Sequence, residues 1–197
     1  MSVTFQQLNA EMASGVENAR RALVQVHHGR RGTGAGTIWH PEGLIITNAH
    51  VVSGGPLRVT LPDGVALPAR LLSRDPDLDL AALMVDASGL PTIEVGNSRD
   101  IRPGQWVMAL GHPFGVKGAA TAGVIVGTGW ELPGVPISRR EWIIANLSLR
   151  PGHSGGPLLD ACHRLIGINT MMASPDMGLA VPVHVIKAFL TEKVGTS

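Results

Sequence analysis

The sequence predicts an all-β protein of two antiparallel barrels or sandwiches, each of about six strands, with a helix near either end. Three observations support this fold class. Short segments rich in Val, Ile and Leu recur along the chain, and Gly, Pro or Asp clusters bound them. The 197 residues include 25 Gly and 14 Pro but no Tyr, which indicates many turns around an aliphatic core. Apolar residues follow a helical spacing only near the two ends.

The chain is expected to begin with an amphipathic helix over residues 6–21, because Leu8, Met12, Val16 and Ala19 share one helix face. The first set of strand-like segments comprises residues 22–28, 34–39, 44–48, 57–61, 65–72 and 81–85. The second set comprises residues 106–111, 119–128, 142–145, 157–159, 165–170 and 178–181. A second helical pattern covers residues 183–194. We therefore predict one domain over residues 1–197, with a first barrel over about 22–90 and a second over about 105–182.

Composition excludes several classes of function. Lys and Arg total 16 against 15 Asp and Glu, without a long basic run, so no nucleic-acid partner is expected. No apolar run is long enough for a membrane span, and the first residues do not resemble a leader. The single cysteine, Cys162, cannot form an intramolecular disulfide and is expected to be a small apolar residue, buried or half-buried. No His-Glu-x-x-His motif or Cys/His cluster predicts a metal site.

The strongest local motif is Gly-His-Ser-Gly-Gly-Pro at residues 152–157, which has two interpretations. It matches the G-x-S-x-G elbow of α/β-hydrolases, in which a helix follows the serine and an acid and a histidine come later in the chain. Residues 157–168 are instead typical of strand, turn and strand, so the esterase interpretation is the weaker one. The other interpretation takes the partners of Ser154 from upstream, in the order His, Asp, Ser. His50 follows an apolar segment, and Asp79 precedes another.

Four motifs in this order make the second interpretation specific. They are Thr-Asn-Ala-His-Val-Val at 47–52, Asp-Pro-x-x-Asp-Leu-Ala-x-Leu at 75–83, Gly-x-Pro-Phe-Gly at 111–115 and Pro-Gly-x-Ser-Gly-Gly-Pro-Leu at 151–158. Together they resemble the HtrA/Deg family of trypsin-like serine proteases over nearly the whole chain. The resemblance implies a chymotrypsin/trypsin-like double six-stranded β-barrel. It also implies an ATP-independent endopeptidase, without a cofactor, that cleaves unfolded or misfolded polypeptides in protein quality control.

The chemistry of peptide hydrolysis gives each residue a role. A serine hydroxyl is a weak nucleophile until a base accepts its proton, so Ser154 is the predicted nucleophile and His50 the base. Asp79 is the carboxylate expected to orient His50, although Asp75 and Asp77 lie close by in the sequence. The oxyanion hole is expected at residues Gly152, His153 and Ser154, with the amides of Gly152 and Ser154 as donors. His112 and His153 stand where the family commonly has Asn, and His153 lies inside the oxyanion turn.

The family resemblance places the primary substrate pocket at Leu149 and at the segment Met177, Gly178 and Leu179. None of these residues is acidic, so we expect small or medium aliphatic side chains to be preferred over Lys or Arg. Ala145-Asn146 departs from the Thr-Asp usual in the family. The segment 131–140 is either a substrate-sensing loop or an ordinary exposed turn.

Assembly, location and the alternative function come from the same resemblance. Family members commonly form trimers through the N-terminal segment, so Phe5 and the Leu8, Met12 and Val16 face either contact a second copy or pack on their own barrel. The family usually works in the periplasm or cell envelope, and most members carry a PDZ domain after the protease; none is expected within these 197 residues. The alternative is a polypeptide-binding holdase whose triad is latent because His153 distorts the oxyanion turn.

Overall fold

The computed structural model describes residues 4–29, 32–129, 141–174 and 176–195. Over these ranges the chain forms helix α1 (Phe5–Arg20), twelve strands, a 3₁₀ turn at Pro113–Gly115, and helix α2 (Val183–Lys193). The segment 131–140, for which a substrate-sensing role was one hypothesis, lies outside the described residues. No helix in the described part of the chain has the length and apolar character needed to cross a membrane.

Two closed antiparallel barrels make up the sheet structure. The first contains β1 (Leu23–His28), β2 (Gly32–His40), β3 (Leu44–Thr47), β4 (Leu57–Thr60), β5 (Ala66–Asp75) and β6 (Leu80–Val85). The second contains β7 (Trp106–Gly111), β8 (Ala119–Gly129), β9 (Trp142–Ala145), β10 (Pro157–Asp160), β11 (Leu165–Ser174) and β12 (Met177–Pro182). Their strand orders are β1-β2-β3-β6-β5-β4 and β10-β11-β12-β9-β8-β7. The predicted fold class, with six strands in each barrel, is confirmed.

Aliphatic side chains fill both barrels and the space between them. Every residue of β3 and β9 is buried, which is the pattern of strands covered on both faces. The larger core cluster includes Ile46 and Leu83 of the first barrel with Leu159 and Ile168 of the second. The barrels therefore share one continuous apolar core, and this core fixes their relative position.

The two helices pack differently. A capping box between Thr4 and Gln7 starts α1, which buries Gly15 and Ala19. Of the rest of the predicted stripe, Met12 and Val16 are half-buried against the core. Leu8 is 46% exposed, and a Cβ on Gly15 would lie 2.1 Å from the His163 ring, so small residues form the closest contact. By contrast, α2 buries Val183, Ile186, Phe189 and Leu190.

One local expectation is wrong. Cys162 is exposed rather than buried, because it lies in the tight connection between β10 and β11. Its N–H donates to Asp160 Oδ1 at 2.9 Å, and the same oxygen accepts from the Arg164 N–H at 2.9 Å. Asp160 thus organises the turn, and the thiol faces outward.

Candidate active site

The predicted base and its carboxylate lie side by side on the first barrel. His50 belongs to the turn after β3, and Asp79 directly precedes β6. His50 Nδ1 lies 2.9 Å from Asp79 Oδ2, and the His50 N–H donates to Asp79 Oδ1 at 3.1 Å. With an ionised carboxylate at Nδ1, that nitrogen carries the proton, so Nε2 is left as the basic nitrogen. The imidazole is about half exposed and can meet a substrate.

Asp79 is held in an uncommon backbone conformation by its neighbours. Its φ is 53°, in the left-handed region that Asp tolerates better than most residues. The Asn48 side-chain amide donates to the Asp79 carbonyl at 3.0 Å. Of the two neighbouring carboxylates, Asp75 accepts the Leu78 N–H at 3.0 Å and stabilises the turn, while Asp77 is exposed. The turn therefore aims Asp79, and not Asp75, at the imidazole.

The environment of Asp79 favours its charged form. Burial acts against ionisation, but hydrogen bonds from His50 and Thr170, together with the His50 charge, outweigh it and lower the pKa of Asp79. The carboxylate is only 5% exposed and accepts bonds on both oxygens. A charge that is buried and fully bonded in this way can support an imidazolium beside it.

Thr170 is a site residue that sequence reasoning missed. Its hydroxyl donates to Asp79 Oδ2 at 2.5 Å, and its carbonyl accepts the Ser154 hydroxyl at 2.6 Å. Thr170 belongs to β11 of the second barrel, so it connects the carboxylate of one barrel with the serine of the other. The available signal in the sequence was the polar pair Asn169-Thr170 directly after Ile168, and the structure shows that Thr170 is only 3% exposed.

Ser154 reaches the site on a turn anchored to the first barrel. The Ala35 N–H donates to the Ser154 carbonyl at 2.9 Å, and the Thr37 hydroxyl donates to the Gly155 carbonyl at 3.1 Å. A Cβ on Gly155 would lie 2.0 Å from the Ala35 carbonyl oxygen, and its φ is 87°. Only glycine permits this close approach of the two backbones.

The serine hydroxyl does not donate to His50 in this structure, because Thr170 accepts it instead. The predicted residues are thus brought together in two linked pairs: His50 with Asp79, and Ser154 with Thr170. Thr170 joins the pairs through Asp79. Rotation of the Ser154 side chain is the movement that would transfer its proton donation to the imidazole.

The turn before Ser154 leaves two backbone donors free. The His153 N–H donates to the Arg150 carbonyl at 2.9 Å, and Gly152 has a φ of 106°. Within the described part of the chain, the Gly152 and Ser154 amides donate no hydrogen bond. Two free N–H groups on one tight turn form an arrangement that can bind an oxyanion.

His112 supports this turn from outside. Its N–H donates to the Gly152 carbonyl at 2.8 Å. A Cβ on Gly152 would lie 2.5 Å from the His112 carbonyl oxygen, so this position too requires glycine. The backbone of His112 therefore packs directly against Gly152 and helps to fix the conformation of the oxyanion turn.

His112 and His153 are both buried and neutral at pH 7. Each ring accepts a backbone N–H at Nδ1, from Gly118 at 3.2 Å and from Arg150 at 3.0 Å, and neither Nε2 has a partner among the described residues. Burial lowers the pKa of His112 to about 4, although the Val24 carbonyl favours the protonated ring. Burial also lowers the pKa of His153. The His153 ring is folded back onto Arg150, whose N–H it accepts, while the Gly152 and Ser154 amides of the same turn stay free.

The predicted pocket residues lie on β12 and on the segment before the turn. Leu149 is buried, and its Cδ1 lies 3.0 Å from the position of a Cβ on Gly178. Leu179 is buried, while Met177 is half-buried. A separate recess of about 440 Å³ opens beside His50 and is lined partly by Arg74 and Met171, which sequence reasoning did not single out. No cluster of three or more potential metal ligands occurs among the described residues.

Comparisons with known proteins agree with this geometry. The family of trypsin-like peptidase domains matches residues 34–168. The putative serine protease HhoB of Synechocystis sp. is 39% identical over 159 residues, covering 78% of this chain and 38% of the relative. A probable periplasmic serine endoprotease, DegP-like, of Halomonas elongata is 41% identical over 165 residues, covering 79% and 34%. This chain thus spans well under half the length of these relatives.

Solved structures show the same likeness. The HtrA-type protease AlgW, solved with a tripeptide, superposes with a TM-score of 0.84 at 34% identity. The match covers 93% of this chain and 64% of that one. The similarity therefore includes both barrels and the elements that carry the site.

Replacing His112 with Asn should reduce the loss of stability in acid. The unfolded histidine gains its proton near pH 6.5, whereas the folded ring gains it only near pH 4. Its contribution to stability is therefore complete above pH 6.5 and is lost as the pH falls towards 4. A shift of this size corresponds to about 3 kcal/mol. Urea unfolding of His112→Asn at pH 7 and pH 4 should show a smaller difference than in the wild type, and an equal difference would contradict the prediction.

Proposed function

Because this chain belongs to the trypsin-like peptidase family, we propose that it is an ATP-independent serine endopeptidase that cleaves unfolded or misfolded polypeptides. One observation supports this most directly. Asp79 orients the His50 imidazole at 2.9 Å and is joined through Thr170 to the Ser154 hydroxyl. The roles of these residues, and the activity of the whole protein, are part of the proposal. The similarity to HtrA and DegP-like proteases does not favour the alternative holdase with a latent triad.

In this mechanism, Ser154 rotates away from the Thr170 carbonyl and attacks the scissile carbonyl carbon. His50 Nε2 accepts the hydroxyl proton, and ionised Asp79 stabilises the resulting imidazolium. The tetrahedral oxyanion accepts hydrogen bonds from the Gly152 and Ser154 amides. His50 then gives the proton to the departing amine, leaving an acyl group on Ser154. A water molecule, deprotonated by His50, attacks this ester and restores the serine.

The first test removes the nucleophile. Ser154→Ala should lower the hydrolysis of unfolded casein by at least about 10⁴-fold, because the acyl-enzyme cannot form. Ser88→Ala, at an exposed position of the first barrel, is the matched control and should retain wild-type activity. Labelling of the wild type by a fluorophosphonate, and not of Ser154→Ala, would identify the reactive hydroxyl. Peptide binding without labelling or turnover would instead favour the holdase.

Thr170 is proposed as a positioning residue that acts through Asp79. Thr170→Val keeps the shape of the side chain but removes the hydroxyl, and a hydrogen bond to a charged group is worth about 1.5–3 kcal/mol. We expect kcat to fall roughly 10- to 100-fold, with little change in KM. The acid limb of the pH–rate profile should also move, since the hydrogen bond from Thr170 helps to lower the pKa of Asp79. Thr170→Ser should restore the activity; equal loss in both variants would exclude this role.

We further propose that the substrate pocket prefers aliphatic side chains. Leu149, Met177, Gly178 and Leu179 offer apolar contacts and no carboxylate to pair with a cation. A buried guanidinium without a partner is strongly disfavoured.

Peptides that differ only in the residue before the scissile bond test this preference. The value of kcat/KM should be at least about tenfold higher for Val or Leu than for Arg. A peptide with Lys at the same position is the control, because Lys keeps the positive charge of Arg but lacks the planar guanidinium. Faster cleavage after Arg would overturn the assignment of the pocket.

Homotrimer formation through the N-terminal segment is a separate proposal. Phe5, Leu8 and Met12 of α1 line a cavity of about 300 Å³ together with Trp106. Phe5 is 85% exposed and Trp106 58% exposed, which leaves an apolar surface open to a second copy of the chain.

By analogy with the periplasmic DegP-like relative, we also propose a cell-envelope location.

Light scattering after size-exclusion chromatography tests the assembly. The wild type should have three times the chain mass of 20.7 kDa, and the Phe5→Ser, Trp106→Ser variant should approach the mass of one chain. Phe114→Ser is the control, because Phe114 is 82% exposed in the loop before β8, outside this cavity. A monomeric wild type would disprove the trimer.

A further inference from the structure

The last residue of α1 is bonded to the loop that contacts the oxyanion turn. Arg20 Nε donates to the Gly118 carbonyl at 2.7 Å, and this bond is partly buried. Glu17, one helical turn earlier, accepts a hydrogen bond from Arg20 Nη1 at 2.5 Å. Because the guanidinium is planar and both bonds use its nitrogens, the two partners together fix its orientation.

Gly118 lies closely against this side chain. Its φ is 63°, and an added Cβ would lie 2.8 Å from Arg20 Nε and 3.0 Å from Arg20 Cγ. Any side chain at this position would therefore displace the arginine, and the positive φ also favours glycine. The Gly118 N–H donates to His112 Nδ1 at 3.2 Å. Gly118 thus has one hydrogen bond towards α1 and another towards His112.

His112 makes the connection to the oxyanion turn itself. Its N–H donates to the Gly152 carbonyl at 2.8 Å. The N–H of the same peptide group, which belongs to His153, donates to the Arg150 carbonyl at 2.9 Å. Glycine has the widest backbone freedom of any residue, so these two bonds restrain the direction in which the turn faces. Loss of either bond would allow the free Gly152 amide to change direction.

Packing does little to hold the outer part of the 112–118 loop. Phe114 is 82% exposed and Val116 58% exposed, so these apolar side chains face solvent instead of the core. A cavity of about 170 Å³ lies between the loop and strands β1 and β4, and Arg20, His112 and Gly118 are among the residues that line it. With solvent on one side and a cavity on the other, the loop depends on directed hydrogen bonds.

The contacts form a continuous series from α1 to the oxyanion turn: Arg20 to Gly118, Gly118 to His112, and His112 to Gly152. We infer that Arg20 is a positioning residue for the oxyanion turn, which it restrains through the 112–118 loop. Where it concerns catalysis, this inference rests on the proposed function. The restraint on the loop itself does not.

Arg20→Met tests the restraint, since methionine keeps an apolar stem but cannot donate a hydrogen bond. Arg21→Met is the matched control, because Arg21 is the next residue, is exposed, and donates to Asn18, three positions earlier, at 2.8 Å. Amide hydrogen exchange, followed by NMR on the full chain, should be at least about tenfold faster at His112 and Gly118 in Arg20→Met. Arg21→Met should exchange as the wild type does. Equal exchange in the two variants would disprove the restraint.

The same measurement separates a local effect from a loss of overall stability. Exchange at Ile46, which is buried in β3, should be unchanged in Arg20→Met. A general increase that includes Ile46 would contradict a local role for Arg20.

Catalysis gives the second test. Arg20→Met should lower kcat roughly tenfold and leave KM nearly unchanged, because losing an oxyanion donor costs about 10²–10³-fold and this donor is only displaced. Labelling of Ser154 by a fluorophosphonate should slow by a similar factor. The acid limb of the pH–rate profile should not move, since no hydrogen bond of Arg20 reaches His50 or Asp79. A shifted acid limb, an effect confined to KM, or an unchanged kcat would exclude the positioning role.

Arg20→Lys tests whether the donor is what matters. Lysine keeps a cationic donor that can reach the Gly118 carbonyl, so this variant should retain most of the wild-type kcat and exchange protection. Equal loss in Arg20→Lys and Arg20→Met would contradict the inference. A chain without peptidase activity would still show the difference in exchange, so failure of the proposed function is distinguishable from failure of this inference.

Discussion

The buried Asp79 carboxylate is the group on which the rest of the site depends. Three hydrogen bonds reach it: from the His50 ring, from the His50 N–H and from the Thr170 hydroxyl. The first two come from its own barrel and the third from the other. A buried charge with fewer partners would be strongly destabilising, so the carboxylate is satisfied only when the barrels are docked. The hydrogen bonds of the site are therefore complete only when the two barrels are packed together.

Close backbone contact allows the docking to be this tight. Because Gly155 has no side chain, the serine turn packs directly against the backbone of β2. Gly152 allows the same close contact with the backbone at His112. Both positions have positive φ and a carbonyl oxygen within 2.5 Å of an added Cβ. The glycines of the Gly-His-Ser-Gly motif thus serve the packing of the two barrels as much as the direction of the amide groups. The apolar core continues across the same boundary, which adds nondirectional stabilisation to these directed contacts.

Sequence patterns predicted the barrels well because strand-like segments and turn residues are local signals. The prediction of His50, Asp79 and Ser154 also used local signals, since each stands in a distinctive motif, and the structure brings the three side chains into one linked set. Thr170 could not be assigned, because its role depends on which strand of one barrel meets which turn of the other. The helical periodicity of α1 predicted which residues share its apolar face, but not which part of the protein the helix packs against. That helix packs through Gly15 against His163, and Leu8 remains 46% exposed.

The hydroxyl of Ser154 donates to the Thr170 carbonyl at 2.6 Å, so presenting this hydroxyl to His50 requires a second rotamer in which that hydrogen bond is broken. A neutral hydrogen bond contributes a net 0.5–1.5 kcal/mol, so only a minority of molecules, smaller by about two- to tenfold, would present the serine to His50 at any moment. The observed rate would be reduced by the same factor. For the proposed hydrolysis, a substrate that displaces the hydroxyl from the carbonyl would restore this factor, so part of the selectivity would depend on the side-chain torsion of Ser154 as well as on the pocket.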